Sequence, residues 1–171
     1  MNQVKTLLDA NTIERTIRRL AYEIVEKNKD LSQVVILGIP TRGLTLGKRV
    51  VDNIKSVEGF DVPFDQLDVR GYRDDEKRVS EKVLPHIDVL QKTVILVDDV
   101  LFTGRTIRAA MDAVIDLGRP ARIQVLVLVD RGHREFPISA NYIGKNIPTA
   151  LKENIRVRFV EDDGVDEVLL G

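Results

Sequence analysis

The stretch Thr93-Val94-Ile95-Leu96-Val97-Asp98-Asp99-Val100-Leu101-Phe102-Thr103-Gly104-Arg105-Thr106 constrains the fold more than any other part of the chain. Its first five residues are β-branched and aliphatic, too short for a helix and too apolar for a loop, and they read as a strand buried on both faces of a parallel sheet. Two acids follow. Ligands of open α/β sheets bind beyond the carboxyl ends of strands, so Asp98 and Asp99 stand where a substrate is expected. Thr103-Gly104-Arg105-Thr106 then precedes an amphipathic run, Ile107 to Leu117, which Gly118 and Pro120 terminate.

The chemistry of that junction follows from its parts. Gly104 permits turn angles closed to other residues, and the free N–H groups of a first helical turn attract an anion. Thr103 and Thr106 add hydroxyls. A carboxylate pair just upstream would repel a phosphate but suits vicinal sugar hydroxyls, each of which can donate to an acid. Acids at one end and a phosphate nest at the other fit a ribose 5-phosphate. The order of strand, acid pair, nest and helix outweighs the plainer view of a turn followed by a helix cap.

Three further segments repeat the pattern of a strand delivering polar residues. Gln33 to Ile39 reads as a buried strand that runs into Pro40-Thr41-Arg42-Gly43 and a helix from about Leu44 to Ser56. Arg42 beside Gly43 could hold a diphosphate, whose charge grows as its bond to ribose breaks. Val62 to Val69 reads as a strand ahead of Arg70-Gly71-Tyr72-Arg73-Asp74-Asp75-Glu76-Lys77-Arg78, too charged to be buried. Ile123 to Val129 ends in Asp130-Arg131-Gly132-His133-Arg134. Asn141 to Pro148 predicts a strand and turn, Ile155 to Val160 a last internal strand, Glu161 to Gly164 a turn, and Val165 to Leu170 a short terminal strand.

Near the N-terminus, Asn11-Thr12 offers an N-cap, and Ile13, Ile17, Leu20, Ala21, Ile24 and Val25 recur at helical spacing. Arg15, Arg18, Arg19 and Tyr22 fall at i, i+3, i+4 and i+7, which gathers three guanidinium groups and a ring on one stripe. Such stripes are usually solvated helix faces, and Glu14, Glu23 and Glu26 flank this one.

Composition bounds the partners. With 26 basic and 27 acidic side chains the net charge is −1, so any nucleic-acid binding must come from a local patch. The absence of cysteine excludes disulfides and thiolate metal sites and is compatible with a reducing cytoplasm, where the protein is expected. No apolar run approaches the roughly 20 residues that span a bilayer, so no membrane partner is expected. The 171 residues, 43% of them hydrophobic, suit one domain with a proper core. There is no G-x-x-x-x-G-K-[ST] and no G-x-G-x-x-G after a strand, which disfavours ATPases and dinucleotide enzymes.

The Val94 to Thr106 stretch resembles the signature of type I phosphoribosyltransferases, which bind phosphoribosyl pyrophosphate (PRPP). The resemblance implies their α/β fold over residues 1–171: a central, mostly parallel sheet flanked by helices, with a small C-terminal hood and a flexible loop. It implies that Asp98 and Asp99 hold the ribose hydroxyls, and that residues Val100 to Thr106 (Val100, Leu101, Phe102, Thr103, Gly104, Arg105, Thr106) wrap the nucleotide and its 5-phosphate. It makes Thr41, Arg42 and Gly43 the diphosphate loop and Tyr72-Arg73-Asp74 the base of a loop that closes over PRPP. Mg²⁺ would be held mainly through PRPP oxygens, near Asp98 and Asp99. Uracil would lie by Asp130, Arg131 and Val160. Purine-using members carry an acid just before the T-G pair, where this chain has Phe102.

Over nearly the whole chain, T-R-G, Y-R-D-D, V-I-L-V-D-D-V-L-F-T-G-R-T, L-V-D-R-G-H-R-E-F-P-I and N-Y-I-G-K-N-I-P-T are similar to the pyrimidine operon attenuation regulators that are also uracil phosphoribosyltransferases. That family implies uracil and PRPP as substrates, UMP as product, and UMP or UTP as effector of binding to the leader mRNA of pyrimidine genes. It places Arg15, Arg18, Arg19, Tyr22 and Arg134 on the RNA surface and implies a homodimer or homotetramer. Tyr22, Ser139 and Pro40 stand where the family commonly has histidine, arginine and lysine. Two alternatives stay open: a non-catalytic nucleotide sensor that binds RNA, and a phosphoribosyltransferase for another base.

Overall fold

The computed structural model describes residues 3–73 and 83–171. Among these, β2 (Val34–Gly38), β3 (Phe64–Gln66), β4 (Thr93–Leu101), β5 (Arg122–Asp130) and β6 (Tyr142–Asn146) form a wholly parallel sheet in the order β3-β2-β4-β5-β6. The apolar run of β4 pairs on both sides, Ile95 lying between Ile36 and Gln124. Alternate residues of each strand serve opposite faces. Val34, Ile36, Ile95, Val97, Leu126 and Leu128 belong to one core, covered by α1 (Ala10–Lys27) and α2 (Arg42–Glu58). Val35, Leu37, Val94, Leu96, Val125 and Val127 belong to the other, covered by α3 (Arg105–Leu117). The chain thus has the α/β fold with a central parallel sheet that its sequence implied.

The chain ends build a separate element. β7 (Ile155–Arg158), β8 (Glu167–Leu170) and β1 (Lys5–Leu8) form an antiparallel sheet in the order β1-β8-β7, with the single-turn helix α4 (Val160–Asp163) between β7 and β8. The expected strand over Ile155 to Val160 is present as β7, ending at Arg158 and placed in this second sheet, whereas Glu161 to Asp163 is helical rather than a plain turn. Val157, Phe159 and Val168 seat this hood on the α1–α2 side of the core.

Other boundaries also shift. Asp9, not Asn11 or Thr12, caps α1, its Oδ1 accepting the Thr12 N–H at 2.8 Å. Strand geometry in the Val62 to Val69 segment is confined to Phe64–Gln66. The expected flexible loop falls largely on residues 74–82, outside the described residues, as does Asp74. No helix among the described residues is long and apolar enough to cross a membrane.

Candidate active site

The site lies at the carboxyl ends of β4 and β2. β4 continues past the acid pair to Leu101, so Asp98 and Asp99 are held in extended backbone and backed by β5, where Asp98 pairs with Val127. The Asp98 Oδ1 accepts the Asp99 N–H at 2.9 Å, and the Asp99 Oδ1 accepts the Val100 N–H at 2.9 Å. Protein crowds the Asp98 carboxyl. Burial first, and the neighbouring Asp99 second, push its pKa well above the ordinary carboxylate range, while Arg73 pulls the other way.

Gly104 makes the nest. Its φ of 91° is a left-handed angle that L side chains rarely adopt, and the helix α3 starts immediately after it. The Arg108 N–H donates to the Gly104 carbonyl at 2.9 Å. The N–H groups of Thr106 and Ile107 therefore precede the helical ladder and are available to an anion. Arg73, Asp98, Phe102, Thr103, Gly104 and Thr106 line a cleft of about 140 Å³ at this point, with Val100, Leu101 and Ile107 behind. The Arg105 side chain leaves the nest to pair with Glu135 at 2.7 Å and to lie over the Phe136 ring. The Arg73 Nη1 donates to the Thr106 hydroxyl at 2.9 Å, so the base of the charged loop reaches the cleft. Tyr72 turns elsewhere: its hydroxyl donates to Asp116 on α3 at 2.6 Å, and burial followed by that carboxylate pushes its pKa up to about 12.

The loop Thr41-Arg42-Gly43 is pressed against the acid pair. A Cβ on Gly43 would stand 2.5 Å from the Val97 carbonyl oxygen and 3.0 Å from the Asp98 Cα. Only glycine lets α2 begin this close to β4. The Pro40–Thr41 peptide is cis, a feature that residue pattern alone does not reveal. Arg42 forms a bidentate pair with Asp163 of α4, at 2.6 Å and 3.2 Å.

The strand-end cluster after β5 is an internal brace. Arg131, 5% exposed, lies with its guanidinium 4.1 Å from the Phe102 ring centroid and donates to the Thr149 hydroxyl and the Ala150 and Glu153 carbonyls. Arg134 donates to the carbonyls of Phe102 and Ile138, each at 2.8 Å, and pairs with Asp130. Ring and carbonyl of Phe102 are thus gripped by two arginines. Residue spacing in D-R-G-H-R signalled charge here but not this grip. Val160 opens α4 and is exposed.

On α1, Arg15, Arg18 and Tyr22 are exposed. Arg18 makes a loose pair with Glu14 at 3.4 Å. Arg19 is partly committed, to Glu23 at 2.8 Å and to the Gly144 carbonyl on β6 at 2.6 Å. Arg134, with a half-buried guanidinium bonded to loop acceptors, belongs to the Phe102 brace.

A model of the phosphoribosyl transferase domain matches residues 3–159. The chain belongs to the phosphoribosyltransferase family. A pyrimidine operon regulatory protein of Lactococcus lactis is 52% identical over 166 residues, covering 97% of this chain and 96% of the relative. A bifunctional protein PyrR of Chloroflexus aurantiacus is 53% identical, covering 99% and 96%, and one of Streptococcus mutans is 51% identical, covering 98% and 96%. These matches put the chain in the PyrR branch of the family. Among solved structures, a hypoxanthine-guanine phosphoribosyltransferase of Bacillus anthracis superposes with a TM-score of 0.73 at 20% identity, covering 98% of each chain. The hypoxanthine phosphoribosyltransferase of Trypanosoma cruzi gives 0.75 at 19% identity, covering 97% of this chain and 95% of its own, and these two share the fold.

Proposed function

We propose that this protein is a bifunctional pyrimidine regulator. As an enzyme it joins uracil to PRPP, giving UMP and diphosphate; as a regulator it binds the leader mRNA of pyrimidine genes when UMP is bound, and transcription terminates early. One observation carries the reading: Asp98 and a helix-start phosphate nest line one cleft, with Asp99 next to Asp98 on β4, in a chain that matches a bifunctional PyrR protein over 99% of its length.

The residues divide the work. The N–H groups at the start of α3, with the Thr103 and Thr106 hydroxyls, hold the 5-phosphate, while Asp98 and Asp99 accept from the ribose hydroxyls. As the bond from C1 of the ribose to diphosphate breaks, the ring becomes oxocarbenium-like and negative charge gathers on the leaving group. Arg42, reaching from the start of α2, meets that charge. Uracil N1 bonds to C1 and loses its proton. Phe102 supplies no acid near the base, in keeping with a pyrimidine. The loop beginning at Tyr72, Arg73 and Asp74 excludes water that would capture the cation.

Among the described residues no group of three acids, histidines or cysteines could enclose a metal. The acid pair fits Mg²⁺, which takes one or two carboxylates together with substrate phosphate oxygens. Held by Asp98 and Asp99 together with substrate oxygens, the ion would supply positive charge opposite the departing diphosphate. The exposed Arg15, Arg18 and Tyr22 on α1 suit phosphates and unpaired bases of an RNA loop, and Arg19 shares the stripe. A homodimer or homotetramer would repeat that stripe across a two-fold axis. The cytoplasm, where PRPP and nascent mRNA meet, is the expected compartment.

The deciding test is nucleotide formation from PRPP and Mg²⁺ with uracil, cytosine, orotate, hypoxanthine and guanine in parallel. UMP from uracil alone is the expected result. No product with any base, from a folded protein that still binds UMP, would reduce the claim to an RNA-binding sensor. Equal RNA affinity with saturating UMP and with none would remove the regulatory half, because linked binding requires reciprocal coupling.

A further inference from the structure

The start of α2 is zipped to the hood. Arg42, Thr45 and Arg49 fall at i, i+3 and i+7 on one stripe, and each meets an acid from the segment after β7. Arg42 pairs with Asp163, the Thr45 hydroxyl donates to Asp162 at 2.7 Å, and Arg49 pairs with both Glu161 and Asp166. Arg49 also lies over the Phe159 ring, at 4.7 Å from its centroid. Arg49 and its acids lie farther along α2 from the cleft. Arg42 is different, because it belongs to the loop that Gly43 presses against Asp98.

The geometry of the Arg42 pair is edge-on. Asp163 takes Nε and Nη2, and no hydrogen bond engages Nη1 among the described residues. A guanidinium carries five N–H groups in a fixed fork, so a carboxylate on one edge leaves the other edge able to grip a second oxyanion. Asp163 is itself fixed, its Oδ2 accepting the Phe159 N–H at 3.0 Å, and its side chain is only 13% exposed. Asp99 lies near enough to the guanidinium to favour its charged form.

We infer that Asp163 is a positioning residue for the reaction: it holds one edge of Arg42 so that the free edge points at the diphosphate group of PRPP, and the hood thereby orders the diphosphate loop. The inference rests on the assignment of Arg42 to diphosphate in the proposed reaction. A free arginine spreads over many rotamers, and a fork already fixed on one edge loses less freedom on binding. Removing Asp163 should therefore weaken diphosphate and PRPP and leave uracil alone.

The test compares Asp163→Asn, Asp163→Ala, Arg42→Ala and the double variant Arg42→Ala/Asp163→Ala. It reads KM for PRPP, KM for uracil and the Kd of inorganic diphosphate in the presence of Mg²⁺. Asp163→Asn keeps an acceptor for the Phe159 N–H and guards against loss of the hood, and thermal melting of each variant confirms folding. Asp163→Ala is expected to raise KM for PRPP and the diphosphate Kd about tenfold, with KM for uracil changed less than twofold, and Asp163→Asn to fall between it and the parent. The double variant should be no worse than Arg42→Ala. Losses that multiply in the double variant, or equal rises in both KM values, overturn the inference. Unchanged values for Asp163→Ala beside a defective Arg42→Ala overturn the positioning role alone; unchanged values for Arg42→Ala remove the diphosphate assignment beneath it.

Discussion

Arg73 and Thr106 are joined by a 2.9 Å hydrogen bond from the guanidinium to the hydroxyl, which ties the base of the charged loop to the phosphate nest across 33 residues of sequence. The bond makes a side chain of the nest answerable to the loop. Thr106→Val keeps the shape of the site and deletes the acceptor. Hydrogen bonds to charged groups contribute about 1.5–3 kcal/mol, so kcat/KM for PRPP should fall on the order of 10- to 100-fold. Arg73→Ala should do the same, and the double variant should add little to either. Steady-state kinetics over a PRPP series check this; an unaltered Thr106→Val enzyme would show the bond to be incidental.

Asp98 carries a pH signature. Burial and Asp99 raise its pKa, so between the ordinary value near ~3.9 and the raised one the folded protein holds a proton that the unfolded chain has released. Stability must then decline as pH rises through that window. Asp98→Asn removes the titration. The variant should have a flatter Tm–pH curve above about pH 4 and melt higher at pH 7, by about 2–4 °C for each kcal/mol of repulsion relieved. Turnover should fall by about a hundredfold or more, the scale of losing one group that acts on the transition state. A variant less stable at every pH would contradict the sign.

Much of this site was legible because its parts are local. The β4 run has only a doubly buried strand open to it, and Asp98, Asp99, Gly104 and Thr106 follow within a few residues. Pairings across long separations left no such trace. Asp163 meets Arg42 over 121 residues, and nothing near either residue names the other. β1 is four residues long, begins exposed, and is a strand only because β8 pairs with it. The cap of α1 lies a few residues ahead of the expected one because Asp9, Asn11 and Thr12 are all competent caps, and the helix register chooses among them. The arginines of D-R-G-H-R read as a polar cluster, whereas Phe102 organises them.

The zipper between α2 and the hood should come apart in acid. Arg42 holds Asp163 below the ordinary carboxylate range, and Arg49 does the same for Glu161 and Asp166. For depressed acids the stabilisation is present above the unfolded pKa and is lost as pH falls through the folded value. Below about pH 4 the parent should lose Tm more steeply than Arg49→Met, in which Glu161 and Asp166 lose their guanidinium and Asp166 keeps only the Val160 N–H. Parallel curves for the two proteins would mean that the pairs contribute nothing.

Gly43 and Gly59 separate close approach from backbone angle. A methyl group on Gly43 meets backbone atoms of Val97 and Asp98, neither of which can rotate away. Gly43→Ala should cost about 1–3 kcal/mol and raise KM for PRPP, because α2 must retreat from the acid pair. Gly59 has φ 68° and nothing within 4 Å of an added Cβ. Gly59→Ala should cost only the left-handed angle, about 1–2 kcal/mol, with kinetics unchanged. Urea melts and PRPP titrations of both variants distinguish the two effects.

Arg18 is the most informative side chain of the α1 stripe. Its pair with Glu14 is exposed and 3.4 Å long, the kind worth little, so RNA can claim the guanidinium at small cost. Arg19 is a poorer probe, since its bond to the Gly144 carbonyl ties α1 to β6 and its loss also disturbs the fold. With UMP saturating, Arg18→Ala should weaken binding to leader RNA and reduce the slope of log K against log salt by about 0.7 for each phosphate no longer neutralised. Arg15→Ala should do the same, while Tyr22→Ala should weaken binding by the ~1–3 kcal/mol of a stacked base and leave the slope alone. Uracil turnover should be untouched in all three, because the stripe lies on a helix that contributes nothing to the cleft. Slopes equal to the parent's in both arginine variants would return the stripe to an ordinary solvated helix face.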